Sequence, residues 1–152
     1  MRQLVFPLQF KGKQVRWPGR YRAKTSASGQ VWRVTLGEAL DVALEPGPGS
    51  AAMDATIETV VGHGVPDDGL GTFTMTGTLT YGSAGTLTFQ SEGSSVLGPS
   101  AISGLQQGAV ILRVTGGAGR LAGATGLITS NFSVTAGGER VDNHLVKVVL
   151  PE

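Results

Sequence analysis

The sequence predicts an all-β protein, built as an antiparallel barrel or sandwich. Two observations carry the prediction: apolar and polar residues alternate with a period of two in several stretches, and 24 glycines divide the chain into short runs. A period of two is typical of strands, and frequent glycine of tight turns between them. Helix signals are weak, because only residues 36–44 and 99–107 could form a turn or two.

The clearest strand covers residues 72–81, where five threonines alternate with Phe73, Met75, Gly77, Leu79 and Tyr81. Residues 86–92 repeat the alternation after a turn at 82–85, which predicts an antiparallel hairpin. The full set of strand candidates comprises residues 31–36, 39–44, 53–61, 71–81, 85–92, 109–115, 127–135 and 141–150. Loops are expected at 45–50, 63–69, 94–107, 116–126 and 136–139.

Length and composition indicate one domain with a real core, since the chain has 152 residues of which 15% are charged. No cysteine is present, which excludes disulfides and thiolate metal sites. Charged residues interrupt every apolar run near the start, and no stretch is long enough to span a membrane as a helix. We therefore expect a soluble, cytoplasmic protein.

Charge is distributed unevenly along the chain. Residues 1–37 hold eight of the twelve Lys and Arg residues and no acid, interleaved with aromatic residues such as Trp17 and Trp32. This mixture could bind nucleic acid, but an opening strand or arm packed on the domain through its aromatic side chains explains it better, so nucleic acid is an unlikely partner. We predict a basic arm or first strand over 1–29 and a single β-barrel domain over 30–152.

The most distinctive segment is the glycine-rich stretch 116–126, GGAGRLAGATG. It does not fit a phosphate-binding loop, because a strand rather than a helix follows it and no Gly-Lys-Ser or Gly-Lys-Thr occurs. Together with the threonine-rich hairpin, the SEGS end at 91–94 and a last apolar strand, it resembles the C-terminal half of allene oxide cyclase and dirigent barrels and their small bacterial relatives. The resemblance covers residues 70–150.

This resemblance implies an eight-stranded antiparallel calycin-like barrel with little helix, often oligomeric, whose interior receives an apolar small molecule. The relatives include cofactor-independent cyclases as well as proteins without assigned activity, so the fold alone does not decide the chemistry. None of the relatives' site residues can be transferred, because those lie on early strands where the sequence shows no match.

Catalytic motifs are scarce. His63 and His144 are the only histidines, and they would need a carboxylate such as Asp54, Glu58 or Asp142 to form a metal site. A separate structural role for each histidine explains the spacing better, so we expect neither metal nor cofactor. No Gly-x-Ser-x-Gly elbow is present, and Asp67-Asp68-Gly69 lacks the later ligands of a calcium loop.

In a barrel, the apolar phase of each strand faces the interior. The residues that we expect to line a ligand cavity share this phase and are Phe73, Met75, Leu79, Tyr81, Phe89, Leu112 and Phe132. Polar residues that could orient or activate a ligand there are Glu58, Asn131 and His144. For each of the three, a solvated position outside the barrel is the simpler alternative.

The functional hypothesis is a barrel that binds an apolar or polyunsaturated small molecule and acts as a cofactor-independent cyclase or isomerase. The alternative is a non-catalytic barrel that carries a ligand or assembles with itself. A dimer or trimer is expected from the resemblance and from the weakly charged threonine faces.

Overall fold

The computed structural model describes residues 2–16, 22–36, 42–46, 54–64, 71–93 and 95–152. Side chains are described for residues 3–13, 72–93 and 95–152. None of the described residues is helical, which confirms the all-β prediction. In this part of the chain there is also no helix of the length and apolar character needed to cross a membrane.

The described residues form ten strands rather than the predicted eight. They are β1 (Arg2–Arg16), β2 (Arg22–Leu36), β3 (Val42–Pro46), β4 (Asp54–Gly64), β5 (Gly71–Tyr81), β6 (Gly85–Ser91), β7 (Ser95–Pro99), β8 (Leu105–Gly119), β9 (Thr125–Thr135) and β10 (Glu139–Leu150). The predicted loop 94–107 contains β7 and the start of β8, so that assignment was wrong. Gly98 and Pro99 suggested a loop, but Pro99 is tolerated because it is the last residue of a short strand.

The strands close into a barrel in which every pairing is antiparallel. Hydrogen-bonded neighbours follow the order β1-β10-β9-β8-β6-β5-β4-β2, and β2 pairs back with β1. β3 pairs with β2, and β7 joins β5 to β8 beyond the end of β6. Closure leaves the strands of this ring without free edges, which removes the usual route to edge-to-edge aggregation.

The basic N-terminal segment contributes two of the longest strands, β1 and β2. β1 pairs with β10 from Arg2 to Lys13 and with β2 from Leu8 to Arg16. The first and last strands of the sequence are therefore neighbours in the barrel. The boundary placed between residues 29 and 30 falls within β2.

Alternation of the side chains puts the core inside the barrel. On β5, Phe73, Met75, Leu79 and Tyr81 are buried, as predicted, while the threonines are exposed or half-buried. At one end of the barrel, the glycine-rich stretch continues β8 to Gly119 and then turns over residues 120–123. Buried side chains in and beside this turn, Leu121 and Ala124, join the same core.

Candidate functional site

All seven residues predicted to line the interior are buried in one apolar cluster. They come from β5, β6, β8 and β9, and they are Phe73, Met75, Leu79, Tyr81, Phe89, Leu112 and Phe132. Leu8 and Phe10 of β1 and Val146 and Val148 of β10 belong to the same cluster. The strand phases read from the sequence therefore identified inward-facing residues on every one of these four strands.

The three polar candidates lie in different places. His144 on β10 is inward and buried. Glu58 lies on β4, opposite Ser26 and Thr78, but its side chain is outside the described residues. Asn131 is exposed on the outer wall beside its register partner Asn143. This corrects the expectation that Asn131 reaches the interior: Ser130 and Phe132 on either side of it point inward, so alternation directs Asn131 outward.

Four polar side chains form a buried cluster inside the barrel, which we call the polar cluster: Ser130, Arg140, Asp142 and His144. The last three occupy alternate positions of β10 and therefore share its inner face. Ser130 of β9 is the register partner of His144. Val146 and Val148 lie on the same inner face of β10. Along this face, polar and charged side chains therefore replace aliphatic ones toward the Arg140 end of the strand.

Asp142 is the centre of the polar cluster. Its Oδ1 accepts a hydrogen bond from Ser130 Oγ at 2.5 Å, and its Oδ2 accepts from Arg140 Nη2 at 2.7 Å and Nε at 3.2 Å. Burial alone would raise the pKa of Asp142, but the charges of His144 and Arg140 and the bond from Ser130 outweigh it. The pKa falls from 3.8 to about 2, so Asp142 is ionised at neutral pH.

Arg140 is also held by an aromatic ring. Its guanidinium carbon lies 3.8 Å from the centroid of the Phe132 ring, a cation–π contact in a desolvated setting. Phe132 in turn packs edge-on against Phe73 and over the backbone of Gly108, where a Cβ would overlap the ring. Glycine at 108 is therefore required for this arrangement of Phe132 and Arg140.

His144 is buried but lacks a well-formed hydrogen bond. Its Nε2 lies 3.1 Å from Asp142 Oδ1, a close contact that lacks the alignment of a hydrogen bond, and among the described residues Nδ1 has no hydrogen-bond partner. The contact with Asp142 is thus one of charge and proximity. Phe10 packs against the ring with centroids 5.0 Å apart at 66°. One face of the imidazole is therefore covered by Phe10, and Asp142 lies beside Nε2, so Nδ1 is the ring atom that could bind a further group.

Two more buried polar atoms have no hydrogen-bond partner among the described residues, the Tyr81 hydroxyl and Ser95 Oγ. Tyr81 packs edge-on against Phe6 with ring centroids 5.6 Å apart. Burial raises the pKa of Tyr81 well above its ordinary value, so its hydroxyl stays protonated and can donate a hydrogen bond. Ser95 lies opposite Phe73 on the neighbouring strand.

A groove of about 590 Å³ opens at one end of the barrel, between the turns that join β7 to β8 and β9 to β10. The amide of Ala136 donates to the Gly104 carbonyl and connects these two turns. The groove reaches Val134, whose side chain is buried and whose register partner is Arg140. Its lining contains no charged side chain, so it is a neutral opening near the polar cluster.

Sequence reasoning did not select Ser130 or Arg140, and it considered Asp142 only as a metal ligand. The sequence did carry a signal, because Arg140, Asp142 and His144 share the phase of Val146 and Val148. Among the residues whose side chains are described, no group of three His, Asp or Glu could hold a metal ion.

Comparison of the chain with protein-family models, with curated proteins and with solved structures finds no match.

Proposed function

We propose that the barrel binds an apolar small molecule in its interior and acts on it as a cofactor-independent cyclase or isomerase. One observation carries the proposal: within the described part of the chain, polar atoms of Tyr81, Ser95 and His144 are buried without a hydrogen-bond partner. Nearly all buried polar groups in native proteins are hydrogen-bonded, and leaving one unpaired costs about 1–3 kcal/mol. A bound molecule with an apolar body and a polar group would satisfy one of these sites. A single small molecule would not reach both Ser95 and Tyr81, because Ser95 lies opposite Phe73, roughly 26 Å along β5 from Tyr81.

Catalysis of this kind needs a shaped cavity more than a reactive cofactor. Confining a flexible substrate in one reactive conformer lowers the entropic part of the barrier. The Tyr81 hydroxyl and the His144 ring would then stabilise charge that develops on the substrate. The calycin-like, dirigent-like assignment belongs to the same proposal; its support is the sequence resemblance over residues 70–150 together with the closed antiparallel sheet.

Substitution of Leu79 by Trp tests whether the interior accepts a ligand. Leu79 is fully buried in the core cluster. If the interior has room for a ligand, the indole fills that room: binding of an apolar fluorescent dye falls at least tenfold, while the thermal melt changes little. Leu127→Trp is the matched control, because Leu127 is 46% exposed, and it should bind dye like the parent. A loss of about 1–3 kcal/mol in Leu79→Trp, typical of overpacking, with no dye binding by the parent would defeat the proposal.

Self-assembly is the second candidate function, and an apolar outer wall favours it. Val5, Ile111, Leu127 and Leu145 are each about half exposed on the contiguous strands β1, β8, β9 and β10. Apolar side chains clustered on one wall are typical of contact surfaces. We propose that a second copy of the chain covers this wall in a dimer or trimer.

Sedimentation equilibrium tests the oligomer. At micromolar concentration the parent should sediment as a multiple of 15.6 kDa. Leu145→Lys should sediment as the monomer, because it adds a second charge to a wall that already carries Lys147 between Val5 and Leu127. Thr129→Lys would repeat the test on the neighbouring strand. A parent that sediments at 15.6 kDa would overturn the assembly proposal without affecting ligand binding.

A further inference from the structure

The contact between His144 and Asp142 determines which ring nitrogen carries the proton. His144 Nε2 lies 3.1 Å from Asp142 Oδ1. A neutral imidazole has one N–H donor and one nitrogen with a lone pair. A lone pair on Nε2 would face a carboxylate that is ionised at neutral pH, so the proton of the neutral ring belongs on Nε2. Nδ1 then carries the lone pair.

Nδ1 is therefore a buried base that no described side chain occupies. The His144 side chain is fully buried, and in the part of the chain that the structure describes Nδ1 has no hydrogen-bond partner. The other members of the polar cluster bind Asp142 instead, because Ser130 donates to its Oδ1 and Arg140 pairs with its Oδ2. Nδ1 is thus the atom of the polar cluster that remains for a bound molecule.

The residues that flank the ring on β1 are apolar. Leu8 is the register partner of His144, and Phe10 packs against the ring with centroids 5.0 Å apart. On the next strand, β2, the residue opposite Phe10 is Gly29, which has no side chain to fill the interior. In such water-poor surroundings charges interact strongly, so the Asp142 carboxylate would stabilise the imidazolium that forms when Nδ1 takes up a proton.

We propose that His144 Nδ1 is the acid–base group of an isomerase that moves a proton along an apolar carbonyl compound. Asp142 is its positioning residue, because it keeps the proton of the neutral ring on Nε2 and stabilises the imidazolium. The inference rests on the proposed function, since it needs a substrate in the interior. It adds the atom that transfers the proton and the class of substrate.

The step is a proton transfer that needs no co-reactant, as a β,γ-unsaturated ketone illustrates. Nδ1 takes a proton from the carbon between the carbonyl and the double bond, and the electrons of the broken C–H bond form a dienolate. The imidazolium returns the proton to the far carbon of the double bond, which moves into conjugation with the carbonyl. The ring ends neutral, as it began.

Nitrogen-15 NMR of the histidine rings tests the lone pair on Nδ1 in the parent itself. The ring signals that His63→Gln retains belong to His144. At about pH 8, above the ordinary pKa of an imidazole, Nε2 should be protonated and Nδ1 unprotonated. In Asp142→Asn the proton should no longer be confined to Nε2. A proton on Nδ1 of the parent at this pH would overturn the inference, also in the case that the variants below do not fold.

The elimination reaction of 5-nitrobenzisoxazole tests the base. A base removes the proton on carbon 3, the ring N–O bond breaks, and a coloured cyanonitrophenolate forms, so no second catalytic group is needed. The parent should accelerate this reaction at least about 100-fold more than His144→Phe, and Asp142→Asn should lose at least about tenfold. Asn143→Ala is the matched control: Asn143 is the exposed neighbour of His144 on β10, and its variant should keep the parent rate.

Binding of 5-nitrobenzofuran, an unreactive analogue with carbon in place of the ring nitrogen, separates this inference from the proposed function. If the analogue binds but the parent and His144→Phe react at the same rate, the inference is overturned and the proposed function stands. A rate lost in His63→Gln and kept in His144→Phe would also overturn it, because the other histidine would then be the base. If neither compound binds, the proposed function is defeated.

Discussion

Replacing Asp142 by Ala should lower the free energy of unfolding by about 3–5 kcal/mol, the largest effect expected of any single change in the polar cluster. The substitution removes the carboxylate partner of Arg140 and leaves its guanidinium charge buried against the Phe132 ring. Urea denaturation at neutral pH measures the loss. The double variant Arg140→Met, Asp142→Leu should recover part of the stability, because it removes both charges together.

The Asp142 carboxylate should also make the free energy of unfolding depend on pH. Its folded-state pKa of about 2 lies below the ordinary value of 3.8, so the stabilisation is present above about pH 4 and is lost as the pH falls toward 2. The loss should be about 2 kcal/mol in the parent and absent in Asp142→Ala. Glu92→Ala is the matched control: Glu92 pairs with Arg113 in an exposed ion pair, where water screens the charges, so little change is expected. If Asp142→Ala costs no more than this control, the polar cluster is not buried as described.

Gly126→Ala should destabilise the protein by about 2–4 kcal/mol. Gly126 is the second residue of β9 and has a φ of +151°, a backbone conformation that L residues rarely adopt. A Cβ at this position would overlap the carbonyl oxygen of Lys147 and lie 2.8 Å from Val148 Cα on the paired strand. Because the backbone atoms of paired strands are held by hydrogen bonds, they cannot shift without breaking them, and β9 and β10 would have to separate locally.

Gly137→Ala is the control for this substitution. It lies in the turn between β9 and β10, where an added Cβ would meet only Thr135 Oγ1 at 3.7 Å. Its unfolding free energy should stay within about 0.5 kcal/mol of the parent. Equal stability of the two glycine variants in urea would show that β9 and β10 do not approach each other at Gly126 as described.

The strand phases were predictable because alternation is a local property. Residues 72–81 repeat it without interruption, and so the sequence alone predicts that Phe73, Met75, Leu79 and Tyr81 face inward, where the structure has them. On β9, Asn131 alternates with the apolar Phe132, so the outward direction of Asn131 could also be predicted from the sequence. By contrast, β7 is short and ends in Gly98-Pro99, a sequence that also fits a loop, and only its pairing with β5 and β8 makes it a strand.

The polar cluster was harder to predict because its contacts are non-local. That Ser130 donates to Asp142 depends on the register between β9 and β10, because a shift of one residue would turn one of the two side chains outward. The position of Phe10 against His144 depends on the pairing of the two ends of the chain. Alternation can place Arg140, Asp142 and His144 on one face, but the ion pair and the unpartnered imidazole follow only from the three-dimensional arrangement.

Methionine-methyl NMR during titration with 2-acetylnaphthalene tests interior binding most directly. The chain has three methionines, and Met75 is fully buried in the core cluster among the residues expected to line the ligand. Its methyl signal, assigned by its loss in Met75→Leu, should shift saturably, because the naphthalene ring would lie against it. A ligand site inside the barrel would be contradicted if the Met75 signal does not shift at probe concentrations near the solubility limit. This holds whether the probe binds elsewhere on the protein or does not bind at all.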